Sequence, residues 1–197
     1  MSKLMTTWPR LRPATNADCE PVRDLVFAVL AEYHLTPDPA CTDADLRDIK
    51  QSYFHRGGVF YVLEEKDGTI IGSYGLYPIA DCGLQIADSN RGASAPHSAP
   101  VLGCFQPVPG PQGDAIPSTC ELRKMYLRRD HRGKGLGKRL LEHALTEARR
   151  LGFKTITLET ASVLKEAVRL YEASGFKPYT PAHLSHRCDQ AYLLKLE

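Results

Sequence analysis

Apolar residues fall into two alternating rhythms along this chain. Val22, Leu25, Val26, Val29, Leu30 and Tyr33 recur at the spacing of one helix face, and Thr15 with Asp18 three residues later marks the start of that helix. Ahead of it, residues 9–14 (PRLRPA) alternate like a short strand. A second helix is predicted after Thr42, with Leu46, Ile49, Tyr53 and Phe54 on one face and Gly57-Gly58 ending it. VFYVLEE (59–65), the turn KDG and TIIGSYGLYPI (69–79) predict a hairpin.

Residues 81–119 break this rhythm. They hold six of the fourteen prolines and only four charged side chains, a composition that predicts an insertion serving as linker or active-site flap. Order returns with CELRKMYLRR (120–129), read as a strand. Leu136, Leu140, Leu141, Ala144, Leu145, Ala148 and Leu151 then mark an amphipathic helix. TITLET (155–160) reads as a strand, Val163 to Tyr171 as a helix stopped by Gly175, and DQAYLLKLE (189–197) as a closing strand. Strands and helices alternate, yet the hairpin requires a mixed sheet, so the class is α/β or α+β. At 197 residues the chain suits one domain, 1–197, carrying the 81–119 insertion.

Composition narrows the function mainly by exclusion. A hydrophobic share of 43%, a charged share of 24% and a net charge of +2 are ordinary for a soluble globular protein and give no argument for nucleic acid. No run of eighteen apolar residues exists, which excludes a membrane-spanning helix, and MSKLMTTWPR lacks the apolar core of a secretion signal. The six scattered cysteines include no CxxC pair, so free thiols in a cytoplasmic location are expected. His183, His186 and Cys188 form an H-x-x-H-x-C string without a second ligand pair nearby. A polar loop is the better reading, and no metal is expected.

Chemistry concentrates in DHRGKGLGKRLL (130–141). Three glycines and the cations Arg132, Lys134, Lys138 and Arg139 crowd together where a helix begins. Glycines at that place leave backbone N–H groups open, and the helix dipole with its basic neighbours favours an anion. A P-loop is excluded because Arg139 stands where Ser or Thr is needed, and a dinucleotide fingerprint is excluded because Lys138 takes the place of its third glycine.

What stands is R-G-K-G-L-G after a strand and before a helix. It resembles the acetyl-CoA motif [QR]-x-x-G-x-[GA] of the GNAT superfamily, with Arg132, Gly135 and Gly137 at the defining positions. ELRKMYLRRDHRGKGLGKRLL and AVRLYEASGFKPY (167–179) resemble that family's consecutive cofactor-binding segments, so the resemblance covers nearly everything outside 81–119. It implies a mixed, mostly antiparallel sheet of six to seven strands flanked by about four helices. It further implies transfer of an acetyl group from acetyl-CoA to a primary amine, most simply of a small molecule, by direct attack in a ternary complex.

The resemblance places cofactor contacts at Met125, Tyr126, Leu127, Arg132, Gly133, Lys134, Gly135, Leu136, Gly137 and Lys138, with the Leu127 amide as oxyanion donor. Tyr171, in LYEASGF, is the implied acid for the departing sulfur. The family often has Asn where this chain has Leu164. Glu121 is the candidate base. On an extended strand Glu121, Arg123, Met125 and Leu127 share one face, with Lys124 opposite. The other reading of Glu121 is a carboxylate paired with a neighbouring cation, and Glu159 is the second-choice base. Two alternatives stay open: a non-catalytic acyl-CoA-binding module, and an enzyme acetylating protein N-termini or lysines. The amine's identity and the choice between monomer and homodimer are also open.

Overall fold

The computed structural model describes residues 9–79 and 118–197. Its first strand, β1, is Arg10–Pro13. Asp18 then reaches back to accept the Thr15 amide at 2.8 Å and the Thr15 hydroxyl at 3.0 Å, satisfying a donor ahead of α1, Cys19–Glu32.

The predicted second helix is broken into three pieces. A 3₁₀ turn, Ala44–Arg47, is followed by a single α-turn, α2, Ile49–Ser52, and a further 3₁₀ turn, Phe54–Arg56. Asp48 is the reason: its backbone leaves the helical region (φ −147°, ψ 90°) and its carboxylate caps the Gln51 amide at 2.8 Å. A short acidic side chain favours that local bond over continuing a helix. Gly57 ends the run at φ 82°, and a Cβ on Gly58 would strike the Leu76 carbonyl. The apolar face was read correctly even so, since Leu46, Ile49 and Tyr53 are buried.

The hairpin forms as β2, Val59–Glu64, and β3, Ile70–Ile79. The predicted insertion lies outside the described residues apart from 118 and 119, and Thr119 already opens β4, Thr119–Leu127. Then follow α3, Leu136–Arg150; β5, Thr155–Thr160; α4, Lys165–Ala173; β6, Lys177–Pro178; and β7, Gln190–Lys195. The seven strands make one sheet in the order β1-β2-β3-β4-β5-β7-β6, antiparallel except for the parallel pair β4–β5.

Each face of the sheet carries its own core. On one, Leu140, Leu141 and Ala144 of α3 and Tyr171 of α4 pack on Leu76, Cys120, Leu122, Ile156 and Leu158. On the other, Val22, Val26 and Leu30 of α1, with Leu46, Ile49 and Tyr53, pack on Phe60, Val62 and Tyr77. Each large apolar side chain so buried contributes about 1.5–3 kcal/mol, so both layers are firmly held. Among the described residues no helix is long and apolar enough to cross a membrane.

Candidate active site

A cleft opens where β4 and β5 part. The two strands pair only at Thr119↔Thr155, Cys120↔Ile156 and Glu121↔Thr157. Beyond Glu121 they separate, and a cavity of about 760 Å³ lies between them. The cause is a bulge in β4. Its register against β3 shifts between Ser73 and Gly75, and Lys124 takes a left-handed backbone at φ 52°.

The bulge overturns the expectation that Glu121, Arg123, Met125 and Leu127 share a face. Cys120 and Leu122 belong to the α3–α4 core, and past the bulge Met125 and Leu127 pack on that same core. Tyr126 packs on the α1 side, where Glu121, Arg123 and Lys124 also project. The extra residue advances the side-chain phase by one, so Lys124 stands with Arg123 rather than opposite it.

The glycine cluster forms one wall. Gly133 and Gly135 lie at φ 74° and 77°, and Gly135 is the N-cap of α3 with no side chain capping the helix. The first helical bond runs from the Arg139 amide to the Gly135 carbonyl, leaving the amides of Leu136, Gly137 and Lys138 without a partner among the described residues. Gly133, Gly135, Gly137 and Lys138 line the cleft, and a Cβ on Gly135 would meet nothing within 4 Å. Open amides at the positive end of a 15-residue helix are suited to a pyrophosphate.

Other residues named from the motif fall differently. The Leu136 side chain is core, and Lys134 is exposed and does not line the cleft. Arg132 spends most of its guanidinium on the protein. Its Nε donates to the Leu127 carbonyl at 2.9 Å, and Nη1 donates to Glu32 at 2.7 Å and to the Tyr33 hydroxyl at 3.2 Å. Only Nη2 is buried without a partner. Arg132 therefore holds the loop against β4 and α1.

The opposite wall carries the ionisable side chains. Arg123 donates twice to one oxygen of Glu121, from Nε at 2.8 Å and from Nη2 at 2.5 Å, and stacks 4.1 Å above the Tyr77 ring. Glu159 stands two residues beyond Thr157, the β5 partner of Glu121, so strand alternation puts both carboxylates on one face. One Glu159 oxygen is held by the amide and hydroxyl of Ser185. Tyr171 lines the cleft from α4, and burial raises the pKa of its phenol, which stays protonated. Leu164 is the N-cap residue of α4, lines the cleft and makes no capping bond.

A buried ion cluster on this wall escaped the sequence reading. Asp43 has a fully buried side chain and accepts from Arg187 at 2.6 and 2.8 Å and from Lys124 at 2.8 Å. Desolvation pushes its pKa up, but the bonds from Arg187 and Lys124 prevail and hold it at about 2. Lys124 reaches on to the Thr42 carbonyl at 2.7 Å and Asp45 at 3.3 Å, and Tyr53 donates to the other Asp45 oxygen. The cluster draws the segment around Asp43 and the segment 180–189 together over β4. A sequence signal for the bulge did exist: apolar residues run 120, 122 and then 125, 127, slipping one place.

Among the described residues Cys19, Cys120 and Cys188 carry free thiols, and no His, Cys, Asp and Glu side chains gather as a metal site.

Comparison with known proteins agrees with this geometry. The model of the acetyltransferase (GNAT) family matches residues 24–176. The chain is 32% identical over 179 residues to the uncharacterized N-acetyltransferase YjgM of Escherichia coli (strain K12), covering 90% of this chain and 87% of that protein. It is 26% identical over 137 residues to N-acetyltransferase 8F1 of Mus musculus, covering 70% of this chain but 48% of that protein, about half its length. In fold it is similar to an acetyltransferase from Streptococcus agalactiae 2603, with a TM-score of 0.70 at 21% identity over 96% of this chain and 99% of that one. A GNAT superfamily phosphinothricin acetyltransferase from Sinorhizobium meliloti, solved in complex with acetyl-CoA, gives a TM-score of 0.60 at 18% identity over 96% and 89%. The uncapped helix behind its glycine turn, the parted strands and these matches have one common explanation: the chain belongs to the GNAT family and is an acyltransferase.

Proposed function

We propose that this enzyme transfers the acetyl group of acetyl-CoA to a primary amine of a small molecule, both bound together in the cleft. One observation carries the reading: the open amides of α3 face the same cavity that the parting of β4 and β5 creates. The helix end matches a pyrophosphate, and the unpaired edge of β4 matches an extended amide-bearing arm.

The Leu127 amide is well placed as oxyanion donor. Arg128 donates its N–H to the Ile71 carbonyl of β3, so by antiparallel alternation the neighbouring Leu127 turns its backbone groups away from β3. Its carbonyl already meets Arg132 on that outer edge. Met125 presents the same edge two residues earlier, and Tyr126 packs toward the α1 side.

An amine reaches the cleft largely protonated at neutral pH, so a base acts first. Glu121 fits that role because it stands at the last paired position before the strands part, with one oxygen fixed by Arg123 and the other left to the cleft. Glu159 remains the second carboxylate. Tyr171, kept protonated by burial, supplies a proton to the departing sulfur.

The test is a thiol-release screen of amines with acetyl-CoA, run beside calorimetry of acetyl-CoA binding. Binding with turnover of at least one small amine is the expected result. Absence of binding would overturn the proposal, and binding with no turnover on small amines, peptides or lysine-bearing proteins would indicate a non-catalytic module.

A further inference from the structure

We infer that Lys124 is a positioning residue: its buried ammonium, tied to the segment Thr42–Asp45, holds β4 in its bulged form and so keeps the Met125–Leu127 edge open for the thioester arm. The inference rests on the reading of the cleft as an acetyl-CoA site.

A lysine at φ 52° has no local reason to be there. Glycine adopts that conformation freely, and Asn or Asp gains a local hydrogen bond from it, whereas Lys gains neither. The compensation is therefore tertiary. Nζ donates to the Thr42 carbonyl at 2.7 Å and to Asp43 at 2.8 Å, and pairs by charge with Asp45 at 3.3 Å. The Lys124 side chain is 4% exposed and that of Asp43 0%, so water contributes little to this balance. Ser73 secures the backbone by donating its hydroxyl to the Lys124 carbonyl at 2.8 Å.

The alternative conformation shows why the anchor decides the shape. In a regular extended β4, Lys124 would fall on the face of Cys120 and Leu122 and drive its ammonium into the apolar core beneath α3. An unpaired charge is excluded from such surroundings. The bulge turns the ammonium to the carboxylates instead, and the same turn ends β4–β5 pairing at Glu121. One buried ion contact thus selects between a closed ladder and an open cleft.

Two variants separate the backbone from the charge. Lys124→Ala and Lys124→Gly lose the ammonium alike, but only glycine takes a positive φ without strain. The assay uses the full chain and an amine that the wild type acetylates. CoA affinity is compared with that of ADP, which presents a pyrophosphate to α3 but lacks the pantetheine arm. For Lys124→Ala we expect kcat to fall about a hundredfold and CoA affinity about tenfold, with ADP affinity within about twofold, because the lost geometry concerns only the arm and the oxyanion donor. Lys124→Gly should recover about tenfold of the lost kcat, since the bulge survives in it. Parental kcat and CoA affinity in the alanine variant would overturn the inference, as would a glycine variant no better than alanine.

Should both variants melt below assay temperature, Ser73→Ala removes only the hydroxyl that holds the Lys124 carbonyl. It is expected to lower kcat about threefold at constant ADP affinity, and an unchanged kcat would overturn the inference. A wild-type chain that bound no CoA would sink the acetyl-CoA reading and this one together. Variants indifferent to Lys124 in an active wild type would sink this one alone.

Discussion

The two walls of the cleft are made of different material. The α3 wall is backbone: Gly133, Gly135 and the open amides behind them, all within a few consecutive residues. The opposite wall is side chain: Glu121 with Arg123, and Asp43 with Lys124 and Arg187, where the paired residues lie 81 and 144 positions apart. A backbone site serves a ligand part that is the same in every reaction, because amides and a helix dipole need only the correct local conformation. A side-chain site can be varied residue by residue, which suits it to the acceptor selection and proton chemistry proposed above.

The largest expected effect tests the backbone wall. Gly135→Val places a β-branched residue at φ 77°, strained although its Cβ meets nothing within 4 Å. Calorimetry should show acetyl-CoA binding lost, with the fold retained and the melting temperature lowered by only about 2–10 °C. Retained affinity would break the assignment of this wall to the pyrophosphate.

Glu121→Gln tests the other wall with the opposite signature. Glutamine's carbonyl can still accept from Arg123, so that bond is kept while the base and its charge are lost, and kcat/KM should fall by about 10²–10⁴-fold with CoA affinity unchanged. A parental pH–rate profile would move the role to Glu159, and Glu159→Gln would then carry the loss. Tyr171 lines the cleft from α4. Tyr171→Phe should lower kcat by about 10²-fold and leave acetyl-CoA affinity nearly constant, because the lost proton matters in the transition state. Equal turnover would return Tyr171 to a packing role beside Phe176.

The smallest effect is one of stability and should belong to the side-chain wall alone. Asp43 has its folded-state pKa lowered from 3.8 to about 2, so its contribution is fully present above about pH 4 and is lost as pH falls toward 2. The expected loss is about 2 kcal/mol, measured by chemical unfolding across that range. In Asp43→Asn that part of the acid dependence should vanish, and an unaltered slope would count against the cluster as a stabilising device.

Much of this protein could be read without coordinates. The α1 face, the β2–β3 hairpin, α3 behind its glycines and TITLET as β5 depend on contacts within a few residues, where period and punctuation carry the information. The loop at 132–138 was legible for the same reason, because positive φ and open amides are local properties. Local preference also had its failure: Asp48 ended a helix that the apolar spacing alone would have continued.

Only the tertiary structure decided how the cleft is opened and what lines its far wall. Arg132, promising as an anion ligand from its place in the motif, is drawn off by Glu32 and Tyr33, which lie about a hundred residues earlier. Lys124 leaves the strand's alternation because the buried Asp43 and the half-buried Asp45 stand beside it, and nothing in its neighbours along the chain provides those charges. Hydrophobic period and turn chemistry are summed over adjacent residues and survive in the sequence. A buried ion pair depends on which distant segments share a low-dielectric space, and that is settled only when the sheet and its two layers have assembled.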